Sequence, residues 1–145
     1  MGVIVVGVDG SEGSRHALDF AIKEAAAHGY RLRLVSAWEI PSSVLASVVA
    51  SREFYDEFRK NAVAVAREAA TRVAELEPSV EHEEVVVEGQ AGRALLGNAE
   101  DADILVVGRR GLGTFREMLL GSISRQVVVH AKCPVVVVPP PGQES

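Results

Sequence analysis

Three glycines and a serine near the end of the chain have the residue types and the spacing of a phosphate-binding segment. Two residues separate Gly108 from Gly111, nine more precede Gly121, and Ser122 follows at once. Glycine has no Cβ, so neighbouring backbone N–H groups can approach an anion closely. The segment therefore predicts a phosphate-binding loop, although Gly108 and Gly111 would also serve as simple turn formers.

A helix predicted over residues 123–131 begins directly after this glycine and serine. Ser122 is expected to cap the helix, because a serine oxygen can accept a hydrogen bond from N–H groups of the first turn. The N–H groups of Ile123 and Ser124 would then face an anion at the positive end of the helix dipole. This arrangement predicts a second phosphate-facing surface in the same segment.

The other elements must bring matching groups to the same place. Apolar or alternating runs predict strands at residues 3–8, 32–38, 82–87, 104–107 and 135–138. Apolar periodicity predicts three further helices, one that ends at Gly29, one over residues 53–76 and one over residues 91–99. Residues 41–52 have no firm period and are interpreted as a mobile connection or partial helix over a pocket. Strands that alternate with helices form a largely parallel sheet with helices on both faces, so the predicted fold class is α/β.

Asp9 stands at the end of the first predicted strand. In a parallel sheet, ligands bind at the carboxyl ends of the strands, where the strand order reverses. Asp9 is therefore a candidate to contact a ribose or to hold a magnesium ion bound to phosphate, and its alternative role is to cap the next helix. Arg109 is a candidate to neutralise phosphate, although charged loop residues usually face solvent.

The pattern G-x2-G-x9-G-[S/T], the opening VIVVGVDGS and the ending CPVVVVP extend over nearly the whole chain. Together they resemble the universal stress protein family, whose ATP-binding members carry this glycine pattern. The resemblance implies an open, Rossmann-like sheet of five parallel strands in the order 3-2-1-4-5. It also implies one domain over residues 1–139, and we expect a disordered tail at 140–145.

The resemblance further implies ATP as the ligand, with magnesium as an accompanying ion. The family's first nucleotide-contacting turn corresponds to Val8, Asp9, Gly10 and Ser11, and the end of its second strand, where adenine lies, to Ala37 and Trp38. The implied phosphate-binding residues are Val107, Gly108, Arg109, Gly111, Gly121, Ser122, Ile123 and Ser124.

The leading expectation is an ATP-binding regulatory or stress-response protein. An enzyme that uses ATP or hydrolyses it slowly, and a nucleotide-free dimeric interaction module, remain as alternatives. The chain has no GxxxxGK[ST] loop, and no two histidines have the i, i+4 spacing of a metal site. A site without a placed general base hydrolyses ATP slowly at most, so an efficient ATPase is disfavoured.

Composition limits the partners that the protein can have. The formal net charge of −5 disfavours binding to nucleic acid or to an anionic membrane surface. No apolar run reaches the length of a spanning helix, and residues 1–10 lack a signal-peptide pattern, so the expected location is the cytoplasm. The single cysteine, Cys133, is interpreted as a structural residue.

The last predicted strand, Val135–Val138, is expected at an edge of the sheet. A valine edge with free backbone groups is prone to association unless something covers it. Dimers of the family that the chain resembles form through this strand. We therefore expect a homodimer in which the strand pairs with its symmetry mate, and in which Pro139 ends the pairing.

Overall fold

A computed structural model describes residues 2–43, 52–109 and 120–140 of the protein. Its elements are, in chain order, β1 (Val3–Gly7), α1 (Glu12–His28), β2 (Arg31–Trp38), α2 (Arg52–Leu76), β3 (His82–Glu88), α3 (Ala91–Asn98), β4 (Ile104–Gly108), α4 (Ser122–His130) and β5 (Val135–Val138). Most of the predicted connection at residues 41–52, the loop that contains Gly111, and most of the predicted tail lie outside the described residues.

The strands form one sheet in the order β3-β2-β1-β4-β5, and every neighbouring pair is parallel. The predicted fold class and the implied strand order are confirmed. The chain reverses its direction across the sheet between β1 and β4, where Val5 lies beside Leu105. Open parallel sheets offer a ligand-binding crevice at the carboxyl ends of the strands that flank such a reversal.

Alternate strand residues bury both faces of the sheet. Ile4, Val6, Leu32, Leu34 and Val106 pack with α1 and α2 on one face, and Val3, Val5, Val35, Leu105 and Val107 pack with α3 and α4 on the other. Each such aliphatic side chain stabilises the fold by about 1.5–3 kcal/mol when fully buried. Because both faces are covered, the strands read as nearly continuous apolar runs rather than as alternating ones.

Local signals define the ends of α1. The Ser11 hydroxyl oxygen accepts a hydrogen bond from Ser14 N at 3.1 Å, so Ser11 is the N-cap of the helix. At the other end Gly29 adopts a φ of 72°, the left-handed conformation in which glycine commonly ends helices.

The apolar stripe of α2 is buried over only part of its predicted length. Its buried positions run from Ala62 to Val73, whereas Tyr55 and Leu76 are exposed. A helix of 25 residues is about 37 Å long, and the strands that it crosses are shorter. The two ends of α2 therefore extend beyond the sheet. Among the described helices, none combines the length and the apolar character that a membrane span requires.

Candidate functional site

A cleft of about 290 Å³ opens at the carboxyl ends of β1, β2 and β4, on the face that carries α3 and α4. Its lining consists of Gly7, Val8, Asp9, Ser11, Ser14, Val35, Ala37, Ala91, Leu95, Val107, Gly108, Gly121, Ser122, Ile123 and Ser124. Its volume lies near the lower end of the range of small-molecule sites, about 300–1,000 Å³. The cleft occupies the crevice that the reversal of strand order creates.

The turn between β1 and α1 forms one wall of the cleft. Ser11 N donates a hydrogen bond to Asp9 Oδ1 at 2.8 Å, and Asp9 N donates to Ser14 Oγ at 3.3 Å. Gly10 has a φ of 82°, which glycine adopts without steric cost. One carboxylate oxygen of Asp9 therefore holds the turn together, while the Asp9 side chain is exposed at the cleft.

The N-terminus of α4 forms the opposite wall. Gly121 N donates a hydrogen bond to Arg109 O at 2.8 Å, and the buried Ser124 hydroxyl donates to Arg109 O at 2.8 Å and to Gly121 O at 3.1 Å. These bonds attach the first turn of α4 to the residue that follows β4. Arg109 contributes its backbone to this junction, and its side chain is not part of the cleft lining.

The expectation that Ser122 caps α4 is wrong. Gly121 is the N-cap, no side chain accepts a capping hydrogen bond there, and Ser122 is the first helical residue. The bonds from Gly121 N and Ser124 Oγ hold Gly121 in an extended conformation, so the helix begins one residue earlier than predicted. The first intrahelical bond is made by Arg125 N, which leaves the N–H groups of Ser122, Ile123 and Ser124 ahead of it.

Two helix N-termini thus meet at one cleft. Ser11 and Ser14 belong to the start of α1, and residues 121–124 belong to the start of α4. Each N-terminus carries roughly half a positive charge from its aligned peptide dipoles. The cleft lining contains no lysine or arginine among the described residues. The described part of the cleft therefore offers an anion backbone N–H groups and serine hydroxyls rather than charged side chains.

Gly108 has a packing role that its spacing alone did not reveal. A Cβ at this position would lie 2.9 Å from the carbonyl oxygen of Gly13 and 3.0 Å from its carbonyl carbon. Backbone atoms cannot move aside as the end of a flexible side chain can. Glycine at 108 is therefore what allows the first turn of α1 to lie against the end of β4.

The other half of the cleft is apolar. Val35 and Ala37 of β2 and Val107 of β4 line it, and Ala91 and Leu95 close it from α3. Such a surface accommodates a flat ring by burying it, and the polar end described above can hold an attached anionic group.

Most of the predicted site residues lie together. The structure places Val8, Asp9, Ser11, Ala37, Val107, Gly108, Gly121, Ser122, Ile123 and Ser124 in the lining of this cleft. Gly10 lines a second cleft, of about 380 Å³, between α1 and α2. Gly111 lies outside the described residues.

Trp38 lies next to the cleft rather than in it. Its indole ring packs edge-on against Tyr55, with ring centroids 5.7 Å apart and planes at 86°. Its carbonyl oxygen accepts a hydrogen bond from Gly89 N at 2.8 Å. Trp38 is therefore outside the described cleft lining, and its implied contact with adenine stays a prediction.

Sequence reasoning missed five lining residues: Gly7, Ser14, Val35, Ala91 and Leu95. A signal existed for some of them. Val35 is two residues before Ala37 and so shares its face of the strand, and Ala91 and Leu95 are four residues apart on one side of a helix.

No group of three or more histidine, cysteine and acidic side chains within the described ranges could hold a metal ion. Cys133 is partly buried and unpaired by any disulfide, and burial raises the pKa of its thiol. A raised pKa keeps the thiol protonated and unreactive, in keeping with the structural interpretation of Cys133.

Comparisons with known proteins agree with this architecture. The model of the universal stress protein family matches residues 1–139. A universal stress protein of Thermus aquaticus, encoded in the 3′ region of a QAH/OAS sulfhydrylase gene, is 34% identical over 137 residues, which is 93% of this chain and 96% of the relative.

Two solved structures with the same fold are complexes with an adenine nucleotide. A universal stress protein in complex with cAMP is 32% identical, with a TM-score of 0.72 over 94% of this chain and 96% of that one. An Arabidopsis thaliana protein with AMP bound has a TM-score of 0.70 over 98% and 94% of the two chains, at 19% identity. From the family match and the identity to the Thermus protein, we conclude that the chain belongs to the universal stress protein family.

Proposed function

We propose that this protein binds an adenine nucleotide, ATP in particular, and acts as a regulatory or stress-response protein whose shape or partner choice depends on occupancy. The observation that carries the proposal is the division of the cleft into two halves. One half is apolar and has room for a base, and the other presents the N-termini of α1 and α4 to an anion.

In this proposal the base lies between the end of β2 and the α3 residues Ala91 and Leu95, and the phosphates lie on the backbone of residues 121–124. The predicted glycines at 108 and 111 would extend the phosphate surface. Magnesium would enter with the phosphates. Asp9 would be its carboxylate ligand, directly or through water, since Asp9 is the one acidic side chain in the described lining.

The solved structures that name a nucleotide support the choice of ligand class. The protein described with cAMP is the more informative of the two, because its identity to this chain is 32%. The Arabidopsis protein, described with AMP, shares the fold at 19% identity. Both ligands consist of an adenine base, a ribose and phosphate, the combination that the two halves of the cleft fit.

A binding role is favoured over rapid catalysis. The described lining contains no histidine, lysine or arginine, and its one carboxylate is engaged in the turn with Ser11. General acid–base catalysis needs a positioned side chain that can transfer a proton. An enzyme that uses ATP, and a dimeric module that binds no nucleotide, are the alternatives that experiment must separate.

The phosphate position can be tested with Gly121→Asp. The N-cap conformation of Gly121, with φ −74° and ψ 171°, is one in which aspartate is a favourable cap, so the variant should fold. Its carboxylate would occupy the N–H groups of α4 and repel phosphate. We expect affinity for ATP and AMP to fall by about 2–4 kcal/mol, roughly 30- to 1,000-fold, in isothermal titration calorimetry.

The matched control is Gly97→Asp, which adds the same charge at an exposed position of α3 with no atom within 4 Å of the new Cβ. Unchanged affinity in Gly121→Asp would place the phosphate elsewhere. A parent protein that neither retains a nucleotide on purification nor binds one would contradict the proposal and favour the interaction module. ATP turnover well above background would favour the enzyme.

A further inference from the structure

Two glutamine side chains join the helices on either side of the cleft. Gln90 Nε2 donates a hydrogen bond to Gln126 Oε1 at 3.1 Å, and Gln126 Nε2 donates to Gln90 Oε1 at 3.3 Å. We call this reciprocal pair, Gln90 with Gln126, the amide clasp. Gln90 Oε1 also accepts a hydrogen bond from Arg93 N at 2.9 Å, so the same side chain caps α3.

A glycine in α3 leaves space for the amide clasp. Gly92 is buried, and a Cβ there would overlap the carboxamide of Gln126. The overlapping atoms belong to the end of a flexible side chain, so an added methyl group would displace that side chain rather than the helix. Gly92 is therefore the residue that leaves room for the clasp.

The amide clasp lies where the two halves of the cleft must be aligned. Gln90 directly precedes Ala91, which lines the apolar half, and Gln126 stands one helical turn after Ser122, which lines the polar half. The other end of α3 and the turn that follows it are attached to β2. There Arg33 donates to Asn98 O at 2.7 Å and to Asp101 Oδ1 at 2.8 Å. With that end fixed, the clasp links the N-terminus of α3 to α4 beside the cleft.

We propose that Gln90 and Gln126 are positioning residues that hold α4, and with it the N–H groups at its start, in place against the apolar wall of the cleft. This inference rests on the proposed function, because its consequence is a change in the affinity for a nucleotide. A ligand that touches both halves, such as AMP, depends on their alignment. Adenosine lacks the phosphate that would reach the N–H groups of α4, so its binding does not depend on this alignment.

Three variants open the amide clasp in different ways. Gln90→Ser keeps a side-chain oxygen that can cap α3 but is too short to reach Gln126. Gln126→Ala removes the other partner, and Gly92→Ala displaces the Gln126 carboxamide without changing either glutamine. Calorimetry should show that affinity for AMP falls about tenfold in each, as loss of a net hydrogen bond predicts. Affinity for adenosine should change by less than about twofold on the same reasoning.

The glutamines should also behave as one unit. The double variant Gln90→Ser with Gln126→Ala is expected to bind AMP no more weakly than either single variant, because either change already opens the clasp. Gly97→Ala is the control for Gly92→Ala, since it adds a methyl group to α3 in open space. It should leave affinity for both ligands at the parent value.

Two results would overturn the inference. One is unchanged affinity for AMP in all three variants, and the other is an equal loss for AMP and adenosine together with a lower melting temperature, which would show that the clasp only stabilises the fold. If the parent protein binds neither ligand, the proposed function itself fails, and that outcome is separate from both of these.

Discussion

Asp9 combines two roles, and substitution by alanine would not separate them. Its Oδ1 atom accepts a hydrogen bond from Ser11 N, which holds the turn before α1, and its side chain also borders the cleft. Alanine would remove both the turn contact and the charge. Asparagine keeps an oxygen that can accept from Ser11 N and removes the charge alone, so comparing the two separates shape from electrostatics.

We compare the affinity for ATP in magnesium with the affinity in a chelator. We predict that the ratio of these two affinities is about tenfold smaller in Asp9→Asn than in the parent protein. A carboxylate near a phosphate-bound magnesium attracts the metal, whereas without the metal it only repels phosphate. Affinity should therefore fall in magnesium and stay equal or rise in a chelator. Calorimetry under both conditions checks this, with Cys133→Ser as a control outside the cleft lining. The same ratio of affinities in Asp9→Asn and in the parent would exclude this role for Asp9.

The approach of α1 to the end of β4 depends on one residue. A Cβ at Gly108 would lie within 2.9 Å of the Gly13 carbonyl oxygen, so Gly108→Ala must push the helix away from the strand. We expect the free energy of unfolding to fall by about 1–3 kcal/mol, as for other overpacked sites. Nucleotide affinity should fall with it, because the same helix start lines the cleft.

Chemical denaturation measures this effect, and Gly97→Ala is again the matched control. In a helix, alanine is favoured over glycine by roughly 0.5–1 kcal/mol, so the control should be as stable as the parent or more stable. If Gly108→Ala unfolds at the same denaturant concentration as the parent, the contact with Gly13 does not limit the packing of these elements.

The strands and most helices could be predicted from the sequence because their signals are local. The apolar run that becomes β1 and the glycine that ends α1 are examples. The start of α4 could not be predicted in the same way. Serine and glycine are both acceptable N-caps, and the choice was made by hydrogen bonds to Arg109, a residue 12 positions before Gly121 in the chain.

The site was predictable to the extent that strand ends and glycines mark it. Asp9 and Gly108 follow from the rule that ligands bind where parallel strands end. Val35, Ala91 and Leu95 come to the cleft through the packing of α3 on the sheet, and the Gln90–Gln126 pair forms across two helices. Contacts of this kind join residues that are far apart in the sequence, so no local sequence pattern predicts them.

At the scale of the whole molecule, the two edges of the sheet differ in chemistry. β3 carries the exposed acidic residues Glu83, Glu84 and Glu88, whereas β5 consists of four partly buried valines. The expected edge position of β5 is confirmed by the strand order. Charged edges discourage strand pairing between molecules, and uncharged valine edges favour it. If the sheet pairs with another copy, β5 is the edge suited to do so.

We predict a homodimer through β5 that Val137→Pro converts to a monomer. Leu105 N donates to Pro134 O and Arg109 N to Val138 O, so by the alternation of a strand the backbone groups of Val136 face β4. Those of Val135 and Val137 face the open edge. Proline at 137 removes an N–H from that edge and leaves the bonds between β5 and β4 intact.

Light scattering coupled to size-exclusion chromatography should show a dimeric parent and a monomeric Val137→Pro at micromolar concentration. AMP binding should persist in the variant, because Val137 is not part of the cleft lining. Val136→Pro serves as a contrast, since it breaks the pairing of β5 with β4 and should also destabilise the fold. A monomeric parent, or a Val137→Pro variant that remains dimeric, would count against this interface.

The use of main-chain groups at the polar end of the cleft has a consequence for how such a protein can evolve. Substitution by any residue except proline leaves the backbone N–H in place, so Ser122 and Ile123 can change without loss of the donors that they supply. A lineage with this design can diverge far in sequence while keeping the site. The positions that resist change are those where a side chain would block the backbone path or the anion, Gly108 and Gly121 above all. On the proposed function, a descendant that no longer binds the nucleotide would show it first at Gly121, whereas Gly108 would persist because the packing of α1 against β4 requires it.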